Sequence, residues 1–236
     1  MRWLLLIGAL ALAACDVPNP DATLQAPASR PAGAPLSPAQ AARSFVQVVD
    51  TLEPVAEREC RARTRGVNCD FRIVVDDNRN APPNAFQSLD RNGRPVITFT
   101  IALIADARNS EEIAFVMAHE AAHHIQGHLA RQRQNAAAGA VIFAGLATLT
   151  GGTAADVESA QQLGAAVGAR SYSKDFELEA DELGTIIAYR AGYDPAIGAQ
   201  FFNRIPDPGN RFLGTHPPNA ARYQRVMATL RAIESD

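Results

Sequence analysis

Basic residues other than arginine are nearly absent from this sequence of 236 residues, in which lysine occurs once, at Lys174. The 22 basic residues are outnumbered by 25 acidic ones, and no segment is strongly basic. A nucleic-acid partner is therefore not expected. Aromatic residues make up only 6% of the chain, but 47% of it is apolar, which excludes a wholly disordered protein and suffices for one medium domain or two small ones.

Cysteine is also scarce, and its odd count of three sets one residue apart from the other two. Cys15 follows one arginine, a short apolar run and several small residues, a pattern typical of a secretory signal peptide. The sequence Leu12-Ala13-Ala14-Cys15 resembles the lipobox of bacterial lipoproteins, in which cleavage precedes an acylated cysteine. We expect residues 1–14 to be a signal peptide and Cys15 to carry lipid. The alternative is an ordinary signal peptide with an incidental cysteine.

Residues 15–38 are expected to form a disordered tether, because six prolines lie among small and polar residues without a periodic apolar pattern. The lipid would then hold the body of the chain, residues 39–236, at a membrane of the bacterial cell envelope, facing the periplasm. Asp16, directly after the modified cysteine, favours the inner membrane.

The body of the chain combines helical and strand patterns. Apolar residues at helical spacing predict a first helix over 39–62, which Pro54 interrupts. Two later apolar runs predict short strands over 71–75 and 95–100, joined by a loop-rich segment. In an exported domain, the remaining pair Cys60 and Cys69 is expected to form a disulfide; two unpaired core thiols are the alternative.

One uncharged stretch, residues 136–155, is rich in glycine and threonine. Its strictly apolar part, 140–149, is much shorter than a transmembrane helix. It predicts a buried or membrane-adjacent helix rather than one that spans a bilayer.

The most informative stretch is a predicted helix over 110–128, with Ser110 at its N-cap. It contains the pattern His119-Glu120-x-x-His123. Two histidines four residues apart lie about 40° apart around a helix, so both imidazoles can bind one cation such as zinc. Glu120 is offset by about 100°, which places its carboxylate beside the cation as a general base. The alternative is a histidine-rich surface helix.

Two more histidines of this helix point away from that cation. His124 lies about 100° from His123, and His128 lies about 180° from His119, so neither can join the site unless the helix breaks. We expect each of them either to pack in the core or to support a metal ligand.

A tetrahedral catalytic zinc needs a third protein ligand. Glu177 and Asp181 are four residues apart and share one face of a second helix, so one carboxylate can bind the metal while the other orients a ligand histidine. Glu179 and Glu182 point elsewhere and are predicted to be solvated. An acidic surface helix is the alternative for the whole segment.

These two motifs together resemble the zinc metallopeptidases of the HtpX and CAAX prenyl endopeptidase type, and most closely their BepA-like and LoiP-like bacterial envelope members. The resemblance runs from about residue 71 to about residue 227. It implies an α+β, zincin-like domain, mostly helical, with a small mixed sheet beside the metal-binding helix. It also includes the segments 84–86, 127–128, 191–195 and 215–217, together with Arg222.

The resemblance assigns one Zn²⁺ per chain to His119, His123 and Glu177, with Glu120 as the catalytic base. It further implies that Asp181 and Arg222 form a pair behind the ligands; an ordinary surface arginine is the alternative. His216 matches a histidine that can approach the metal as an inhibitory fourth ligand, or that merely fixes a loop.

The activity implied is hydrolysis of internal peptide bonds in misfolded or misassembled envelope proteins. A strand edge beside the active-site helix, at 84–86 or 96–100, would hold the substrate by main-chain hydrogen bonds. Two alternatives remain: a chaperone-like binder that uses the same groove without catalysis, and an enzyme held latent by His216.

Overall fold

The computed structural model describes residues 33–171, 173–209, 211 and 214–235. The predicted signal peptide, Cys15 and most of the predicted tether lie outside the described residues. The elements in chain order are α1 (Pro38–Arg63), β1 (Arg72–Asp76), β2 (Ala85–Leu89), β3 (Pro95–Thr100), α2 (Ile101–Asp106), α3 (Ser110–Ile125), α4 (His128–Leu149), α5 (Ala154–Arg170), α6 (Ser173–Arg190), α7 (Pro195–Gly198), a 3₁₀ helix (Ala199–Asn203) and α8 (Asn219–Ser235).

The first helix is continuous through Pro54, so the predicted interruption is wrong. The proline lies on the exposed side of α1, where water can satisfy the backbone carbonyl that loses its hydrogen bond. The opposite face buries Val48 and Leu52 completely, and this packing outweighs the cost of the proline. The helix begins at Pro38, the last residue assigned to the tether, because Ser37 caps it.

Three strands form a mixed sheet in the order β1-β3-β2, with β1 parallel and β2 antiparallel to β3. The strand β2 lies in the segment predicted to be loop, which corrects that prediction. Its apolar residues do not follow the alternation of a half-buried strand, since Gln87 is buried while Phe86 and Leu89 are exposed, and pairing with β3 defines the strand. Because β3 is paired on both sides, its edges are not available to a peptide, which excludes the proposed edge at 96–100.

The core lies between the sheet, α1, α3 and α6, and α3 is its most buried helix. Helix α6 approaches α3 closely at Gly184, where an added Cβ atom would lie 3.0 Å from the backbone nitrogen of His119. This contact brings the acidic helix against the histidine helix. The predicted α+β class, mostly helical with a small mixed sheet, is confirmed.

Helices α4 and α5 form a hairpin whose backbones touch at Gly139 and Gly164, because a side chain at either position would collide with the other helix. The hairpin covers little of the remaining fold, and Val141 is 74% and Leu149 85% exposed. The prediction of a buried helix is therefore wrong for this stretch, and a membrane-adjacent helix stays a prediction. Among the described helices, none is long and apolar enough to cross a membrane.

A disulfide joins Cys60 to Cys69 with their Cα atoms 5.7 Å apart. It ties the last turn of α1 to the segment that leads into β1. Both cysteines are buried, so the bridge closes a short loop at the edge of the core.

Candidate metal centre and active site

The N-cap of α3, the helix that carries the histidine motif, lies one residue earlier than predicted. The side chain of Asn109, rather than Ser110 as predicted, accepts a hydrogen bond from the backbone N–H of Glu112 at 2.8 Å. Asn109 has the extended backbone of an N-cap, whereas Ser110 is already helical.

Helices α3 and α6 bring His119, His123 and Glu177 together. The Nε2 atoms of the two histidines are 3.0 Å apart. Carboxylate oxygens of Glu177 lie 3.5 Å from Nε2 of His119 and 3.4 Å from Nε2 of His123. A tetrahedral zinc with bonds of about 2.0–2.1 Å separates its ligand atoms by about 3.3–3.4 Å, so this donor set fits a zinc ion.

The polar atoms of this cluster are also suited to a bound cation. Glu177 Oε2 is buried and accepts no hydrogen bond of good geometry from the described residues, although Nδ1 of His216 lies 3.0 Å and a guanidinium nitrogen of Arg222 3.4 Å from it. Burial acts to raise the pKa of Glu177, but the imidazoles of His119 and His123 outweigh burial and hold that pKa well below its usual range. A buried carboxylate that stays ionised and incompletely paired is suited to binding a metal ion.

His119 is held from behind by a buried ion pair. Its Nδ1 atom lies 3.0 Å from Asp181 Oδ1. Arg222 donates two hydrogen bonds to the same carboxylate, at 2.7 and 2.8 Å, and Asp181 is completely buried. Burial and Arg222 act to lower the pKa of His119, but Asp181 and Glu177 outweigh them and raise it to about 9. The carboxylates of Asp181 and Glu177 therefore favour a positive charge at the imidazole of His119.

His123 is held by a second group, which the sequence analysis assigned only in part. The helical conformation is interrupted between α3 and α4 at Gly127, whose φ of 67° is left-handed. The break turns His128 back, so that its Nδ1 atom lies 2.8 Å from Nδ1 of His123. Burial lowers the pKa of His128 to about 4, so its ring is neutral at neutral pH.

Glu179 completes this second group, which corrects its predicted solvation. Its carboxylate lies 3.1 Å from Nε2 of His128 and accepts a hydrogen bond from Arg131 at 2.6 Å. Sequence reasoning missed Arg131 because only the turn at Gly127 brings α4 to α6. By contrast, Glu182 is exposed and pairs with Arg225.

Glu120 lies in the same cleft as the three ligand residues and is partly exposed. Burial raises its pKa, and Glu177 adds to this effect, while His119 and His123 oppose it. A carboxylate with a raised pKa is a better proton acceptor near neutral pH.

The two other candidate histidines occupy different surroundings. His124 packs edge-on against Phe71 and lies 2.7 Å from the backbone oxygen of Asn68, away from the ligand cluster. His216 is 52% exposed, and its Nδ1 atom lies 3.0 Å from Glu177 Oε2. The structure therefore brings His216 to the mouth of the site and leaves His124 half-buried against Phe71.

A cleft of about 660 Å³ opens over the ligand cluster. One wall is β2 with the preceding residues from Pro83, and the floor is α3. The opposite wall is apolar, a feature that sequence reasoning missed because it comes from separated parts of the chain. It includes Phe176, Phe201, Phe202 and Ile205.

Comparison with known proteins finds similarity to peptidases, both in a family model and in individual relatives. Residues 45–230 match the model of peptidase family M48. A putative beta-barrel assembly-enhancing protease of Vibrio cholerae is 35% identical over 168 residues, which are 64% of this chain and 34% of that protein. The beta-barrel assembly-enhancing protease of Escherichia coli O157:H7 is 33% identical over 138 residues, covering 49% of this chain and 26% of that protein. The chain thus spans about a third of these relatives' length or less.

Proposed function

Because the chain belongs to peptidase family M48, a family of zinc metallopeptidases, we propose that it is an endopeptidase that cleaves misfolded or misassembled envelope proteins. The observation that carries the proposal is the convergence of three ligand residues, His119, His123 and Glu177, with Glu120 beside them in an open cleft. The family match confirms the predicted family and zinc as its cofactor.

Catalysis divides between the metal and the side chains. Zinc, when bound, polarises the scissile carbonyl and lowers the pKa of water. Glu120 accepts a proton from the attacking water molecule and donates it to the leaving amine. His119, His123 and Glu177 would hold the ion, and Asp181 with Arg222 keeps the ring of His119 in its orientation.

The cleft favours an extended peptide with apolar side chains. The outer edge of β2 lies along the cleft and can pair with a substrate strand through main-chain hydrogen bonds. The apolar wall opposite can bury large side chains, which folded proteins keep inside. An unfolded segment offers both the free backbone and the exposed side chains, so we propose unfolded proteins as the substrate class.

The proposal is tested with an unfolded reporter protein, prepared by reduction and alkylation, and with its native form as control. Internal fragments identified by mass spectrometry are expected from the unfolded form only. Release of single terminal residues, or equal cleavage of the native form, would count against this function.

We place the protein in the cell envelope on the basis of its amino-terminal sequence. The relatives are named for the assembly of β-barrels, which supports an envelope substrate. We propose that Cys15 is acylated after removal of residues 1–14, and that Asp16 retains the protein in the inner membrane. Labelling of cells with a fatty-acid probe is expected to mark the parent chain and not a Cys15→Ala variant; equal labelling of both would refute the anchor.

A second functional state, a latent enzyme, is supported by the position of His216. Its imidazole contacts the ligand Glu177 from the open side of the cleft. There it would compete with substrate for the position opposite the three ligands.

If His216 is inhibitory, His216→Ala is expected to raise cleavage of the unfolded reporter by about 5-fold, the equivalent of losing one polar contact worth about 1 kcal/mol. The measurement is the initial rate at equal zinc content. A rate at or below that of the parent chain would assign His216 to fixing its loop.

A further inference from the structure

We propose that His128 is a positioning residue that fixes the tautomer and ring orientation of the metal ligand His123, and that Glu179 and Arg131 hold it in place. This inference rests on the proposed zinc site but not on proteolysis. The four side chains form one continuous series from the ligand to the surface: His123, His128, Glu179, Arg131.

The hydrogen bonds of this series determine which ring nitrogen of His123 and of His128 carries the proton. His123 presents Nε2 to the other ligand atoms, so Nε2 must be unprotonated to bind a metal, and the proton must be on Nδ1. That proton is donated to Nδ1 of His128, which must then be the unprotonated nitrogen of its ring. The remaining proton of His128, on Nε2, is donated to the carboxylate of Glu179. A single pair of tautomers satisfies all three contacts.

Packing holds the central ring as firmly as the hydrogen bonds. His128 is only 4% exposed, and its ring stacks on Phe176 at a centroid distance of 4.7 Å and an angle of 9°. The guanidinium of Arg131 also lies over the Phe176 ring, 4.2 Å from its centroid, while it donates to Glu179. The ring of His128 therefore has little freedom to leave His123.

The geometry that creates this series is specific to one backbone position. Without the left-handed turn at Gly127, α3 would continue and carry His128 to the far side of the helix. The turn instead places His128 next to Nδ1 of His123, the ring nitrogen that points away from His119 and Glu177. His123 thus has a neutral acceptor behind it, whereas His119 has the carboxylate of Asp181.

The experiment measures zinc dissociation constants by competition with a chromogenic chelator. Removal of such a supporting partner typically weakens metal binding by about 10–100-fold, and we expect this from His128→Ala. His128→Gln is expected to recover part of the loss, because the amide can accept from His123 and donate to Glu179. Glu179→Gln should fall between His128→Ala and the parent chain.

A matched control is Glu182→Gln, which removes the same charge from α6 in an exposed pair with Arg225 and should leave affinity within about twofold. Two results would overturn the proposal: parent-like affinity in His128→Ala, or equal weakening by alanine and glutamine, which would indicate packing alone. If His128→Ala does not fold, His128→Gln and Glu179→Gln are compared with the control. Zinc affinities of both variants equal to that of Glu182→Gln would then overturn the proposal. A chain that binds zinc as expected but does not cleave protein would refute the proposed function and leave this inference intact.

Discussion

Replacement of Glu120 by glutamine is expected to reduce cleavage of an unfolded reporter by about 10²–10⁴-fold, the usual contribution of a general acid–base residue. The amide keeps the shape of the side chain but cannot accept a proton. Because Glu120 is not one of the three ligand residues, the variant should retain the zinc content of the parent chain.

The measurement is the initial cleavage rate, with zinc content determined on the same sample. Glu182→Gln makes the same chemical change at an exposed position outside the cleft and should cleave at the parent rate. Cleavage by Glu120→Gln within about threefold of the parent would assign the base to another group. If neither chain cleaves but both bind the unfolded reporter equally, the chaperone-like alternative gains support.

Arg222→Ala is expected to lower the free energy of unfolding by about 3–5 kcal/mol, because it removes the guanidinium from the buried carboxylate of Asp181 and leaves only His119 beside it. Asp181 is fully buried and receives both of its strong hydrogen bonds from Arg222. The guanidinium also packs over Phe202 at 4.2 Å, so its removal opens a gap in the core.

The change is measured by chemical denaturation of the metal-free chain, so that zinc binding does not contribute. Arg225→Ala removes the same residue type, three positions along α8, from an exposed pair with Glu182. It should cost less than about 1 kcal/mol. Equal losses in the two variants would contradict the role assigned to the buried pair.

Local spacing was sufficient to predict the centre of the site. The separations within His119-Glu120-x-x-His123 and between Glu177 and Asp181 determine which side chains share a helix face, and both motifs are helical, although the first helix ends at Ile125 and not at 128. The residue spacing could not predict that α3 and α6 pack against each other. This packing depends on Gly184, whose lack of a side chain lets α6 approach α3.

Features that depend on tertiary contacts were predicted least well. The strand β2 exists because β3 pairs with it, and Pro54 is tolerated because the opposite face of α1 is buried. The supporting group behind His123 needed the single turn at Gly127 and two helices distant in sequence. A glycine next to a histidine in a helical pattern was the one available signal, and it permits a break without requiring it.

The measurement that tests the central claim most directly is the zinc content of the purified chain, compared with that of a Glu177→Ala variant. The account predicts close to one zinc ion per parent chain and almost none in the variant, because two imidazoles alone do not complete the site. Full zinc occupancy in Glu177→Ala would contradict the assignment of Glu177 as third ligand and, with it, the proposed catalytic centre.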